Sequence, residues 1–170
     1  MGAEFQEYQA VLAKVDAKFA EIVARRAEQY ACARGCHSCC LPGLSVAHIE
    51  AAHIRAWLAE DPERSSRVRS LLAARPHGDS RCALLDASGG CSIYPVRPLL
   101  CRAHGVPTRL REGDREQVDV CHKNLTQVPL TSLDPSELID QNLLATLLYV
   151  LGRRRDPHDD GSRVPLAELV

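Results

Sequence analysis

Eight cysteines are the residues of this sequence whose type and spacing could do chemistry. Four of them form a tight group with the spacing C-x3-C-x2-C-C, and the other four follow singly. They are Cys32, Cys36, Cys39, Cys40, Cys82, Cys91, Cys101 and Cys121. Thiolates are ligands of zinc and of iron–sulfur clusters, and a C-x2-C loop can bring two of them to one metal. We therefore predict that the eight cysteines are metal ligands.

The adjacent pair Cys39-Cys40 restricts the kind of metal centre. Side chains of successive residues diverge, so two neighbouring thiolates do not easily serve one tetrahedral metal. Either one of the pair is not a ligand, or the pair serves two metals or a polynuclear cluster. The single cysteines are separated by 8, 9 and 19 residues, so each must come from a different turn or strand end. These features slightly favour an iron–sulfur cluster of the [4Fe-4S] type, and a multinuclear zinc–thiolate centre is the close alternative.

The charge and the apolar segments of the sequence indicate where in the cell these thiols are found. The chain has 170 residues and a formal net charge of −1, which leaves no basic excess for a nucleic-acid partner. It shows no secretory signal, and its longest apolar run, 143–151, is too short to span a membrane. We therefore expect a cytoplasmic protein with no membrane and no nucleic-acid partner, where metal sites are commoner than disulfides. The even number of cysteines still permits four disulfides.

The first three cysteines have the spacing with which radical-SAM enzymes hold a [4Fe-4S] cluster. This chain is too short and too helical for the barrel of those enzymes, and Ser38 stands where they usually have an aromatic residue. The spacing still indicates that three of these cysteines could bind an iron–sulfur cluster. His37 and His122 flank cysteines and could be auxiliary ligands, and simple exposure to solvent is the alternative for both.

A longer pattern resembles the YkgJ-like cysteine-cluster family, a zinc- or iron-chelating domain. That family has a C-x-x-C-C element, then a block that reads roughly C-x-L…C-x-I-Y-x-x-R-P-x-x-C-R, then one more cysteine. The corresponding segments here are Cys36–Cys40, Cys82–Leu84, Cys91–Arg102 and Cys121. The chain departs from the pattern in two ways. His37 replaces a common glycine, and the first cysteine lies one residue further upstream.

The resemblance implies a metal–cysteine centre. Larger proteins similar in this domain include a flagellin lysine methylase associated with a [4Fe-4S] cluster, which makes methyl transfer conceivable here. In this pattern Arg97 could donate hydrogen bonds toward sulfur, and a purely architectural role is its alternative. Arg102 directly follows Cys101, and positive charge beside thiolates balances a metal–thiolate centre. We predict that Arg97 and Arg102 contact the cofactor, and the sequence identifies no catalytic residue.

Long helices at the two ends are expected to position the cysteines. Apolar residues at alternating spacings of three and four predict one helix over 3–31. They are Phe5, Tyr8, Leu12, Val15, Phe19 and Ile22. This stripe fits packing inside the protein, and a contact between two copies is the alternative. Asp134-Pro135-Ser136-Glu137 predicts the start of a last long helix that ends at Leu151, with Gly152 as its stop.

Shorter elements are expected between these helices. Ser45 predicts the cap of a second helix that runs to about Glu60, and Asp61-Pro62 predicts the start of a third. Hairpins are expected around Cys82–Tyr94 and over 107–120, where Gly113-Asp114 supplies the turn of the second hairpin.

The fold class that follows is mainly α, with long N- and C-terminal helices around a Cys-rich metal-binding core and small β-hairpins. We expect a single domain over 1–155, with the metal core at about 32–121 and a flexible charged tail over 156–170. The expected partners are metal ions, and a protein or a second copy bound through the long helices. The function hypotheses are a metal-binding protein in redox, metal handling or protein modification, a metal-dependent enzyme acting on protein side chains, and a metal-folded interaction module.

Overall fold

The computed structural model describes residues 3–33, 35–76 and 78–170, so Met1, Gly2, Arg34 and His77 lie outside the described residues. Within these ranges the fold is mainly helical with small sheets. The α-helices are α1 (Gln6–Ala24), α2 (His48–Ala59), α3 (Pro62–Ala73), α4 (Leu99–Ala103) and α5 (Gln141–Arg155). The strands are β1 (Ser45–Ala47), β2 (Thr108–Glu112), β3 (Arg115–Asp119), β4 (Ile139–Asp140) and β5 (Arg163–Pro165). No helix of the described ranges is long and apolar enough to cross a membrane.

Helix α1 forms on the predicted apolar stripe, which packs inside the protein. Five members of the stripe are buried, and Phe19 is half-buried. The helix ends at Ala24, so the predicted end at residue 31 was too late. A 3₁₀ turn over Ala27–Gln29 follows it. Arg26 lies in this turn region and donates to both carboxylate oxygens of Glu137, at 3.0 and 3.1 Å, which fixes the direction in which the chain leaves the helix.

The start of α2 differs from the prediction. Ser45 does not cap the helix, because it lies in β1, which pairs antiparallel with β5. The helix begins at His48, and the Glu50 carboxylate accepts the N–H of Ala47 at 3.0 Å. Helix α3 confirms its predicted start, since the Asp61 side chain accepts the N–H of Arg64 at 2.9 Å.

The second predicted hairpin is confirmed and the first is reduced to a single bridge. Strands β2 and β3 pair antiparallel around Gly113, whose φ of 58° suits the tight turn. Around Cys82–Tyr94 the described chain forms one isolated antiparallel bridge, between Leu85 and Cys91. Asp86 organises that turn by accepting the N–H groups of Ser88 and Gly90, both at 2.8 Å.

The last helix begins later and ends later than predicted. The capping signal at Asp134 produces only a 3₁₀ turn over Pro135–Glu137. The chain then forms β4, which pairs parallel with β2, and α5 starts at Gln141 with Asp140 as its cap. Gly152 does not stop the helix, which continues through three arginines to Arg155.

The segment expected to be a flexible tail, 156–170, is packed against the fold. Strand β5 pairs with β1, and Leu166 and Leu169 are only 3% and 2% exposed. The Arg55 side chain donates to the backbone oxygen of Leu169 at 3.0 Å. This segment therefore covers one side of α2.

Two apolar clusters form the core. The first surrounds α2 and the loops that carry Cys82 and Cys91, and the second lies between α1, α4 and α5. Glu50 lies where they meet, 1% exposed, and accepts the N–H of Leu99 at 2.8 Å. A buried carboxylate that caps a five-residue helix fixes the place of α4, which carries Cys101.

Candidate metal centre

The eight cysteines separate into two sets of four, and all eight thiols are free of disulfide bonds. We call Cys40, Cys82, Cys91 and Cys101 the inner set, because they lie against the first apolar cluster or on α4 beside it. We call Cys32, Cys36, Cys39 and Cys121 the outer set, which includes the exposed Cys32. The contacts and electrostatics of the individual thiols support this division.

Backbone hydrogen bonds hold the segments of the inner set together. The N–H of Cys82 donates to the carbonyl of Cys40 at 2.7 Å. The Arg75 guanidinium donates to three carbonyls of the next loop, those of Cys82, Ala83 and Leu85, at 2.7 to 2.8 Å. The fold therefore holds the Cys40 segment against the Cys82 segment and fixes the loop that follows.

The thiols of the inner set influence one another and are shielded from water. The pKa of Cys101 is raised to about 12, by burial first and then by the neighbouring thiols of Cys91, Cys82 and Cys40. The pKa of Cys40 is also raised to about 12, by burial first and then by Cys39, Cys82 and Cys91. Burial likewise raises the pKa of Cys91, while the positive charge of Arg97 opposes that shift. Without a bound cation the thiols of Cys40, Cys91 and Cys101 therefore stay protonated at neutral pH.

The outer set is built from the loop after α1 and the segment that follows β3. Turn hydrogen bonds fold the loop, with Cys36 donating to the carbonyl of Ala33 at 3.0 Å. From the other side, Lys123 Nζ lies 3.8 Å from the sulfur of Cys36, and Asn124 Nδ2 lies 3.1 Å from the sulfur of Cys32.

Within the outer set, Cys36 is the thiol whose pKa is lowered, so it carries negative charge more easily than the buried inner thiols Cys40, Cys91 and Cys101. A hydrogen bond from the backbone N–H of Ser38 is the main interaction that lowers the pKa of Cys36, and the positive charge of Lys123 also lowers it. Burial is the main cause that raises the pKa of Cys39, and the neighbouring thiols of Cys121 and Cys36 also raise it. Cys39 therefore belongs with the outer thiols, whereas its neighbour Cys40 belongs with the inner ones.

The donor set fits the metals that thiolates bind. Four cysteine sulfurs are the ligand set of structural zinc and of iron–sulfur clusters. Among the described residues, the three ligand groups that lie within 4.8 Å of one another are those of His48, Asp159 and Asp160, at an exposed surface. No three cysteine sulfurs of the described chain lie within 4.8 Å of one another. In a tetrahedral zinc site with Zn–S bonds of about 2.3 Å, neighbouring sulfurs would lie about 3.8 Å apart.

The two arginines predicted to contact the cofactor have different surroundings. Arg97 stacks on Tyr94, 3.8 Å from the ring centre, and its charge partly opposes the burial that raises the pKa of Cys91 and Cys101. Arg102 donates to the carbonyls of Pro95 and Arg97, at 2.7 and 2.8 Å, and pairs with Asp16. Arg102 thus holds the turn before α4, and cofactor contact by either arginine stays a prediction. The side chains of His37 and His122 are exposed.

Sequence reasoning missed the polar residues that hold the sulfurs. Arg75, Glu50, Lys123 and Asn124 each fix or contact a cysteine-bearing segment, as the distances above show. Lys123 and Asn124 follow Cys121 closely, which is the one signal that could have drawn attention to them.

A cleft of about 340 Å³ adjoins the outer set. Leu99, Ala103, Val106 and Leu148 contribute apolar surface to it, and Cys121 lies in its wall. Gln141 Nε2 donates to Thr108 Oγ1 at 2.7 Å on its polar side. The cleft therefore combines an apolar floor with a few polar groups beside a cysteine sulfur, as small-molecule sites do.

Comparison with known proteins gave one match. The model of the CxxCxxCC family, described as "Putative zinc- or iron-chelating domain", matches residues 31–123, which include all eight cysteines. No curated protein and no solved structure matches the chain.

Proposed function

This chain belongs to the CxxCxxCC family of zinc- or iron-chelating domains, and we propose that it holds two metal–thiolate centres, one in each cysteine set. The observation that carries the proposal is the division at Cys39 and Cys40. The two thiols influence each other, and beyond this mutual contact Cys39 is influenced by Cys121 and Cys36, whereas Cys40 is influenced by Cys82 and Cys91. The backbone carbonyl of Cys40 also accepts the N–H of Cys82 at 2.7 Å. Adjacent cysteines that serve two centres explain why the chain needs both.

We favour iron–sulfur clusters over zinc in these centres. The adjacent pair Cys39-Cys40 and the four separate single cysteines support this, since a cluster places metal and sulfide atoms between its thiolates, whereas one zinc draws four sulfurs together. A bound cluster supplies one-electron chemistry, which suits a redox or protein-modification role in a reducing compartment such as the cytoplasm. Zinc in both sets remains the alternative cofactor. The long terminal helices then serve as the frame of a Cys-rich core.

The test uses two neighbouring substitutions, Cys39→Ser and Cys40→Ser, in protein purified without oxygen. Iron, sulfide and zinc per chain are measured together with the visible spectrum. We expect wild-type protein to be brown with two centres, and each variant to lose about half of the metal. The variants are closely matched, because they change adjacent residues in the same loop.

The outcomes separate one centre from two. Loss of all metal in both variants would overturn the two-centre arrangement in favour of one shared cluster. Full metal content in either variant would remove that cysteine from the ligands. A colourless protein with zinc would overturn the preference for iron–sulfur, and wild-type protein without any metal would overturn the proposed function.

A second candidate function, catalysis at the outer centre, is favoured by the cleft. Cys121 lies in the cleft wall, so a small molecule in the cleft would lie next to a ligand of the outer centre. The pKa of His104, another residue of the wall, is lowered by partial burial, which keeps its imidazole neutral near pH 7 and able to hydrogen-bond a ligand.

The test fills the cleft with Ala145→Trp, in protein loaded with Co²⁺ as a spectroscopic metal. We expect azide to change the Co²⁺ spectrum of wild-type protein and not that of the variant, because the indole blocks access. Ala59→Trp, at an exposed end of α2, is the control. A wild-type spectrum that azide does not change would indicate a closed centre and would contradict this candidate.

A further inference from the structure

Asn124 is a buried amide whose hydrogen bonds meet at the outer set. It is 2% exposed, and its backbone N–H donates to the carbonyl of Cys121 at 2.8 Å. Its side-chain Oδ1 accepts the N–H of Ala31 at 2.9 Å. Its Nδ2 donates to the carbonyl of Gly105 at 2.7 Å and to the sulfur of Cys32 at 3.1 Å. One side chain therefore joins three separate segments of the chain.

The orientation of this amide is determined by its partners. A carboxamide has two N–H donors on nitrogen and an acceptor oxygen. The oxygen faces an N–H group, and the nitrogen faces a carbonyl and a sulfur. The flipped orientation would place the oxygen against the Gly105 carbonyl and the nitrogen against the Ala31 N–H. The donor that faces Cys32 is thus fixed by the other two contacts.

Gly105 encloses the same sulfur from the other side. Its φ is +114°, a conformation that favours glycine, and a Cβ at this position would lie 3.1 Å from the sulfur of Cys32. The sulfur is therefore held between the backbone of residue 105 and the amide of Asn124. An N–H donor directed at a sulfur stabilises negative charge on it, and such hydrogen bonds tune metal–thiolate centres.

We propose that Asn124 is a positioning residue that holds Cys32 in the outer set and donates to its metal-bound thiolate. This inference rests on the proposed function and adds the residue that completes the outer site. It also accounts for the spacing of the first cysteine. The family name gives C-x-x-C at this point, and this chain has three residues between Cys32 and Cys36. A cysteine displaced along the loop needs a contact from elsewhere to keep its place.

The experiment introduces Asn124→Asp in two backgrounds. Cys40→Ser protein keeps all four cysteines of the outer set. Cys39→Ser protein keeps all four cysteines of the inner set. Metal affinity is measured by competition with a chelator, with Co²⁺ as the probe. We expect affinity to fall about 10- to 100-fold in the first background and to stay unchanged in the second. The aspartate keeps the shape and the acceptor for Ala31 but places negative charge against the sulfur.

Asn142→Asp is the matched control for replacing an amide. Asn142 also bonds one backbone N–H and one carbonyl, both of Arg111, at 2.8 and 2.9 Å, and it is exposed. We expect this substitution to leave Co²⁺ affinity unchanged. In a Cys32→Ala chain with the Cys40→Ser change, adding Asn124→Asp should have no further effect, because the sulfur that it faces is gone.

The results distinguish this inference from the proposed function. Equal Co²⁺ affinity with and without Asn124→Asp in the Cys40→Ser background would overturn the inference alone. An equal loss in both backgrounds would also overturn it, because the residue would then support the whole fold. If the aspartate variant does not fold, Asn124→Ser, which is uncharged and lacks the amide donor, must show the selective loss. Absence of metal binding in both backgrounds would overturn the inference and the proposed function together.

Discussion

The inner and outer cysteine sets are held by different means. Every member of the inner set comes from a separate segment, and an arginine, a buried glutamate and backbone bonds fix these segments. Three members of the outer set come from one loop, and two polar side chains after Cys121 contact the sulfurs of Cys36 and Cys32. The inner set is thus shaped by the core, and the outer set by local side chains.

This difference has a consequence for the charge on the sulfurs. Burial raises the pKa of the Cys101 and Cys40 thiols, so thiolates in the inner set need a metal to offset their desolvation. In the outer set, an N–H group and a lysine already lower the pKa of Cys36. We infer that the inner metal contributes mainly to stability, and that the outer centre is the one that other molecules can reach.

The largest expected contrast is in stability. Cys101→Ser, which removes an inner ligand, should lower the free energy of unfolding of metal-loaded protein on the order of 5 kcal/mol. Cys36→Ser should lower it by about 2 kcal/mol or less, because the outer loop lies at the surface and orders few other residues. Chemical unfolding followed by circular dichroism measures both. Equal losses would contradict the assignment of stability to the inner centre.

The next contrast is in the reactivity of the metal-free thiols. Nucleophilic attack requires thiolate, and a lowered pKa gives more thiolate at a given pH. Iodoacetamide at pH 7.5 should therefore modify Cys36 at least about tenfold faster than Cys101, whose thiol is buried with a pKa of about 12. As pH rises toward 12, the difference should narrow, because Cys101 then ionises. Peptide mass spectrometry reads each site, and a faster Cys101 at pH 7.5 would reverse the comparison.

The smallest contrast tests the enclosure of Cys32. Gly105→Ala adds a Cβ that would lie 3.1 Å from the sulfur, and it should weaken outer metal affinity about tenfold. Gly113→Ala is the control, because Gly113 also has a positive φ but has no atom within 4 Å of the added Cβ. Both variants carry backbone strain of about 1–3 kcal/mol, so only the first should change Co²⁺ binding. An equal loss of Co²⁺ affinity in both variants would show that backbone strain, and not the contact with Cys32, causes the loss.

Local signals in the sequence predicted the elements that depend on local physics. The stripe of α1, the Asp61 cap of α3 and the Gly113 turn are confirmed, because spacing, capping and turn chemistry act within a few residues. The helix starts predicted from Asp134 and Ser45 were wrong, because a strand precedes the helix at both places. Strand β4 pairs with β2 and β1 pairs with β5, and no local pattern shows such distant partners.

The candidate site was likewise predictable only in part from the sequence. Residue type identified the cysteines and the family, and the adjacent pair at Cys39 already raised the alternative of two metals. The membership of each set depends on which turn delivers each sulfur, and spacing alone does not give that. The place of Asn124 three residues after Cys121 was only a weak signal, because an asparagine becomes informative once its neighbours in space are known.

The pairing of β5 with β1 also bears on the order in which the protein is assembled. Ser45 and Arg163, joined across this pair by a side-chain hydrogen bond of 3.1 Å, are 118 residues apart in sequence. Translation proceeds from the N-terminus, so all eight cysteines emerge from the ribosome before residues 163–165 can close the sheet beside the first metal loop. The cysteines are therefore synthesised before the strand that closes the sheet beside their first loop, so a metal donor can meet the thiols before that pairing forms.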